Sequence, residues 1–360
     1  MKTSFARLCQ LMALTLLACF CLSALAVAAD NDTNVRPRFV VIPQKPLPPG
    51  VKQPAGTLQQ WNGSFTYNGT NYPFVMVGTD PSTGTGTEIT TFIVPVKLVL
   101  SNGHVYDPLS GGPFSPVAMT QLSPIFDQTT TYTQGGVDVG TTQYVDAFQR
   151  ANFWSTVQNE PGYHVLLGGP TARPQLLPEI TLNVPAGDGT EGSPFGHLVA
   201  EVNIDYFDTQ ISNYMAQSGV INPTNFPIFI TENTYLTEGG CCIGGYHSAN
   251  GQQTYANFEY ITYSGDFSQD VSALSHEVGE WMDDPLTNGQ NNTPCGILET
   301  GDPLENTTNY GDYPYPLHNF TYHLQDLTFL RYFGGPANGS VNSWWTFQNY
   351  PFTRICQNGS

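Results

Sequence analysis

Ser275-His276-Glu277-Val278-Gly279-Glu280 reads H-E-x-x-E, one residue away from the H-E-x-x-H signature of zinc metallopeptidases. On a helix, positions i and i+4 share a face. His276 and Glu280 can therefore grip one metal ion while Glu277 handles a metal-bound water. The flanking residues predict a helix from about Gln269 to Asp283. Val271, Leu274, Val278, Trp281 and Met282 recur at helical spacing and are its expected core face. Asp270 stands where an acidic side chain favours a helix N-terminus, and Pro285 marks the end by disfavouring helix at Asp284. Gly279 costs about 1 kcal/mol in a helix interior. The expected offset is close approach of another segment, at the metal or in packing against a strand.

A catalytic zinc takes three protein ligands and keeps one position open for water. Glu299, 19 residues beyond Glu280, is the expected third ligand. It begins Glu299-Thr300-Gly301-Asp302; Asp302, Glu305, His318 and His323 are its rivals. The expected chemistry is water activation. Glu277 takes the proton and passes it to the leaving amine, and His247 or Tyr246 stabilises the developing oxyanion. Two carboxylate ligands leave the zinc set at net zero, a weaker Lewis acid, and suit Mn²⁺ or another oxygen-preferring ion as well. The plainer reading of the same residues is a structural helix carrying a buried histidine.

Ser275-His276-Glu277-x-x-Glu280, then Asp284-Pro285-Leu286, then Glu299-x-Gly301-Asp302 resembles the plant EXORDIUM / phosphate-induced-1 family and related secreted bacterial proteins. Their pattern is Ser-His-Glu-Leu-Ala-Glu, Asn-Pro or Asp-Pro, and Glu-Ile-Gly-Asp. Gly245-Tyr246-His247-Ser248 is similar to their Gly-Trp/Tyr-His segment. The likeness covers roughly residues 225–305. Val278-Gly279 replaces Leu-Ala, and Cys295 precedes the Glu-x-Gly-Asp, where that family has a cysteine after it. The resemblance implies a zincin-like helix and a metal site, more than it implies proteolysis.

The rest of the chain sets the compartment. Lys2 and Arg7, an apolar run from Leu11 to Leu25 and small residues at Ala24, Ala26 and Ala28 read as a signal peptide over 1–29. Ala18-Cys19 has a faint look of a lipoprotein processing site, which Leu17 fits poorly. No later segment has the ~20 apolar residues of a bilayer span, so the protein is expected to be secreted or periplasmic. Charged residues make up only 11% of the chain and the formal net charge is −18. That excludes a basic patch for nucleic acid and disfavours an anionic membrane, and it suits an acidic medium. Cys9, Cys19 and Cys21 fall in the signal. Cys241, Cys242, Cys295 and Cys356 then form two disulfides, with Cys241 and Cys242 expected to reach Cys295 and Cys356.

The expected fold class is α+β. Residues 30–56 form a Pro-rich, extended and poorly packed leader. Residues 57–190 are β-rich, with a hairpin turning at Asn68-Gly69 and a helix at about Thr142–Val157. Residues 191–360 form a zincin-like catalytic region, or one domain with 57–190. Within it, His197–Ile204, Phe226–Thr231 and Asn257–Tyr263 read as strands and Phe207–Gln217 as a helix. Residues 286–320 lack regular pattern. No Glu-x-x-His pair for a di-iron bundle, no Gly-x-Ser-x-Gly elbow and no phosphate loop is present. An exported metal-dependent hydrolase, most simply a zinc peptidase, leads the functional readings. A non-catalytic secreted cell-wall or surface protein with a structural metal comes second, with Trp344 and Trp345 available to stack on polysaccharide. A glycosidase using Glu277 and Asp302 comes third.

Overall fold

Apolar alternation along Asn225–Glu232 sends Phe226, Ile228 and Ile230 to one face and Phe229 to the other. A strand patterned in this way must be covered on both sides. The computed structural model describes residues 35–357 apart from 48, 49, 53 and 170–172. The expected signal at 1–29 lies outside the described residues.

The fold is mixed α+β and strand-rich, with one large sheet curled into a half-barrel. Its strands include β1 (Arg38–Val41), β2 (Thr87–Leu100), β3 (Ile180–Val184), β4 (Gly189–Gly192), β5 (Val199–Asn203), β6 (Asn225–Glu232), β7 (Thr234–Thr237), β8 (Cys241–Asn250) and β9 (Gln253–Tyr260). The order is β3-β2-β6-β9-β8-β7-β5-β4, and β1 pairs in parallel with β8. β2, from the expected 57–190 region, lies parallel to β6, from the expected 191–360 region. The two regions thus share one sheet and one core.

Three helices cover the sheet: α1 (Tyr144–Asn152), α2 (Ile204–Gln217) and α3 (Ser272–Asp283). α2 starts where Asn203 accepts the Tyr206 N–H at 2.9 Å, a side-chain cap. Its Phe207 and Ile211 pack with Val94, Phe229 and Tyr246 on one face. α3 packs on the other face, with Leu274, Val278, Trp281 and Met282 in the main core beside Phe226, Ile228 and Phe258. Trp281 stacks on Phe226 with ring centroids 3.7 Å apart.

Several expectations need correction. α3 starts at Ser272, later than Gln269, because Ser268 and Asp270 take left-handed φ of 62° and 44°. Asp270 accordingly does not sit in the first turn; it accepts from the His323 N–H and ring at 2.8 and 2.7 Å. Every residue of α3 is buried, so it has no solvent face. The hairpin Asp312–Leu317/Phe320–Gln325 and the strand Thr70–Val77 close its outer sides. Gly279 admits the Leu327 side chain, 2.6 Å from where a Cβ would stand, so its role is packing.

The leader is also better packed than its prolines suggest. β1 joins the sheet and its Phe39 is buried. The disulfides are Cys241–Cys242 and Cys295–Cys356, replacing the expected long-range pairs. Cys241 and Cys242 begin a buried central strand. Cys295 instead sits beside the chain end, near the Tyr332 carbonyl. Trp344 packs against the main core and Trp345 lies under the Arg331 guanidinium at 4.1 Å, so packing accounts for both. No described helix is long and apolar enough to cross a membrane.

Candidate metal centre

Strand alternation decides which of two neighbouring residues reaches α3. Tyr246 points to the α2 face and donates its hydroxyl to Asp208 at 3.0 Å. His247 points the other way and lies against Glu277. Tyr246 therefore has no part in the centre. Helical spacing brings His276 and Glu280 together, with Nε2 3.0 Å from Glu280 Oε2. The third wall comes from the segment after α3. Glu299 is only 4% exposed, and the short helix Asp302–Glu305 supplies Asp302, whose side chain is 48% exposed at the rim.

Two groupings result, sharing Glu280: His276, Glu280 and Asp302, and His247, Glu277 and Glu280. Asp302 Oδ1 stands 3.8 Å from His276 Nε2. Glu299 Oε2 stands instead 3.8 Å from His247 Nε2. Of the expected third ligands, Asp302 is thus nearer the His276–Glu280 pair and Glu299 lies on the His247 side. The other rivals are engaged elsewhere: His318 with Asp127, His323 with Asp270, and Glu305 with the Phe39 N–H.

The outer partners of both histidines orient them. Gln325 Nε2 donates to the Tyr310 carbonyl at 2.8 Å, which turns Gln325 Oε1 toward His276 Nδ1 at 2.5 Å. Nδ1 then carries a proton toward Gln325, and Nε2 faces the carboxylates, where in the metal-free protein it stands as an imidazolium N–H 3.0 Å from Glu280 Oε2 and would offer a lone pair once a cation replaces that proton. A Cβ at position 301 would collide with this contact, which explains Gly301. His247 Nε2 faces the Asp284 carbonyl at 3.3 Å, a pure acceptor, so its Nδ1 lone pair faces Glu277 Oε2 at 3.2 Å. Glu280 Oε1 accepts the N–H groups of Gly301 and Asp302, each at 3.1 Å, leaving Oε2 for the centre.

Burial and charge act in opposition here. Burial lowers His276, but the Glu280, Glu277 and Asp302 carboxylates outweigh it and hold it up at about 10. Burial pushes His247 down to about 4. Glu277 is driven well above the usual carboxylate range, chiefly by burial, and Glu299 likewise, with Glu280 and Asp284 adding to it. Burial raises Glu280 too, yet the adjoining His276 charge brings it below its ordinary value. Both Glu299 oxygens, both Asp284 carboxylate oxygens and Glu277 Oε1 are buried without a hydrogen-bond partner. Orphaned polar atoms of this kind are costly, and a divalent cation suits mixed nitrogen and carboxylate donors. The residues therefore fit a metal.

Gln325 was not legible as a site residue, since it lies 49 residues from His276 and belongs to no motif. Gln325→Ala is expected to weaken divalent-metal affinity by about 10–100-fold. Competition against a chromophoric chelator reads this, and unchanged affinity would show that Gln325 does not orient His276. A cavity of about 490 Å³ borders the centre at Glu299 and Asp302, its other walls including Val40, Ile297, Tyr332 and the Cys295–Cys356 bridge. No protein-family model, curated protein or solved structure matches this chain, so the geometry of the centre is what bears on its function.

Proposed function

We propose that this protein is an exported metal-dependent hydrolase, most simply a zinc peptidase of zincin-like type. The observation that carries the reading is the convergence of His276 Nε2, Glu280 and Asp302 in a buried centre, with Gln325 occupying the other His276 nitrogen and Glu277 Oε1 and both Glu299 oxygens left without a partner beside it. His276 and Glu280 hold the ion, and Asp302 completes the set more readily than Glu299. Bound there, a zinc or manganese ion supplies Lewis acidity and a water of lowered pKa. Glu277, one position from His276 and fully buried, is the proton acceptor. His247 is fully buried with both ring nitrogens engaged, so the proposed role is to position Glu277, and oxyanion stabilisation is no longer assigned to it. The order of motifs that resembles the EXORDIUM family supports the metal site. A protein or peptide chain entering the acidic cavity is the proposed substrate, with a cell-wall polysaccharide as the alternative partner.

A second reading, a secreted surface protein with a structural ion, is favoured by the complete burial of α3. Metal content separates the hydrolase from a metal-free fold. Elemental mass spectrometry of wild-type protein is expected to find bound zinc or manganese, lost from the His276 site in His276→Ala. No stoichiometric metal in wild type, purified without chelators, would overturn both metal readings. Metal in wild type whose removal lowers the melting temperature, with no hydrolysis of any peptide, would leave the structural one.

A further inference from the structure

We propose that the centre binds two divalent cations, one at His276, Glu280 and Asp302 and a second at His247, Glu277 and Glu280, with Glu280 Oε2 between them. This rests on the metal-centre reading above and deepens it: Glu277 would hold the second ion through Oε2, on the His247 side, and take the proton through Oε1, which has no partner. The two groupings draw on different histidines and share Glu280. Oε2 lies 3.0 Å from His276 Nε2 and 3.8 Å from His247 Nδ1, so one oxygen faces both rings.

Each histidine is oriented by a partner that only accepts at that contact, the Gln325 amide oxygen for His276 and the Asp284 carbonyl for His247. His247 therefore turns its Nδ1 lone pair toward Glu277 and Glu280, and His276 turns Nε2 toward Glu280 and Asp302. His247 Nδ1 and Glu277 Oε2 stand 3.2 Å apart in this way. In the metal-free protein the Glu277 carboxyl proton fills this contact, and a cation can take that proton's place. Glu277 Oε1 and both Glu299 oxygens are buried and unpartnered on this same side. Gly245 leaves room here, because a Cβ at 245 would stand 3.0 Å from Glu277 Cγ and Oε1.

Charge points the same way. Glu277, Glu280, Asp284, Glu299 and Asp302 bring five carboxyl groups to one centre, and among the described residues no lysine or arginine forms an ion pair with any of them. In their ionised forms these groups carry more charge than one divalent cation balances, and unpaired charge in a desolvated site is expensive. A shared carboxylate suits the spacing of about 3.5–4 Å common to two-metal sites.

The test uses the full chain loaded with Mn²⁺ or Zn²⁺ and desalted. Elemental mass spectrometry is expected to give two ions per chain in wild type and one in His247→Ala. Electron paramagnetic resonance of the Mn²⁺ protein is expected to show an exchange-coupled signal, which decides the matter even if His247→Ala does not fold. One ion in wild type, with an isolated six-line spectrum, overturns the second site and leaves the single-ion hydrolase standing. Two uncoupled ions, or two retained in His247→Ala, also overturn it. No ion in wild type sinks this proposal and the metal reading together.

Discussion

Glu277→Gln is expected to lower turnover of a peptide mixture by about 10²–10⁴-fold, the usual contribution of a positioned general base. The substitution keeps shape and hydrogen-bonding reach, so the fold and the ion at His276, Glu280 and Asp302 should survive. Stability should rise in the metal-free protein. Burial holds the Glu277 carboxyl well above its ordinary pKa, so ionising it at neutral pH is unfavourable, and an amide removes that cost. An amide nitrogen can also donate to the His247 Nδ1 lone pair, 3.2 Å from Glu277 Oε2. A variant that is more stable and inactive separates a functional acid from a structural one. Undiminished turnover would remove Glu277 from the chemistry. A lower melting temperature would show that its charge supports the fold.

The parts of this centre that sequence revealed are those set by local geometry. Helical periodicity puts His276 and Glu280 on one face whatever the tertiary fold. Asn68-Gly69 gives a tight hairpin because both residues accept positive φ, observed at 49° and 82°. What stayed hidden depends on contacts distant in the chain. Gln325 and Asp284 fix the two imidazoles through an amide oxygen and a backbone carbonyl, groups that carry no sequence signature. Phe39 comes from a proline-rich segment and still packs on His276, ring centroids 4.1 Å apart, because β8 had an edge to offer. Four cysteines allow three pairings, and sequence spacing does not choose among them. His247 was visible as a candidate, but its role was not. Period-two alternation places it, fully buried, between the sheet and α3.

The metal-free protein is expected to be most stable in acid and to lose stability as pH rises from about 4 to about 8. Burial pushes Asp283 up to about 8 and Asp284 and Asp326 up to about 7, each from an ordinary 3.8. The unfolded chain gives up these protons near pH 4, whereas the folded chain keeps them to near neutrality. Between those limits the native state binds more protons than the unfolded state, so stability falls with rising pH. A carboxyl whose pKa folding raises tenfold in proton affinity contributes about 1.4 kcal/mol to this loss. His247 opposes the trend, because its lowered pKa destabilises the fold in acid below its ordinary 6.5, and the lowered carboxyls of Asp107, Asp127, Glu191 and Glu280 oppose it at the acid end; Asp312 and Glu232, pushed up to about 7 by burial, reinforce it through the rest of the range. Only 11 lysines and arginines are present to repel one another once the carboxylates are neutral. Calorimetry of chelator-treated protein from pH 4 to 8 should show a falling melting temperature. Adding a divalent cation should recover part of the loss at pH 8, since the cation binds the ionised centre. Asp326 accepts from Thr346 and Gln348 at 2.6 and 2.7 Å and has no place in the centre. Asp326→Asn should therefore flatten the pH slope without changing the response to metal. A melting temperature that climbs from pH 4 to 8 would mean that the native state holds these acids ionised, and the burial argument would fail for the metal centre as well.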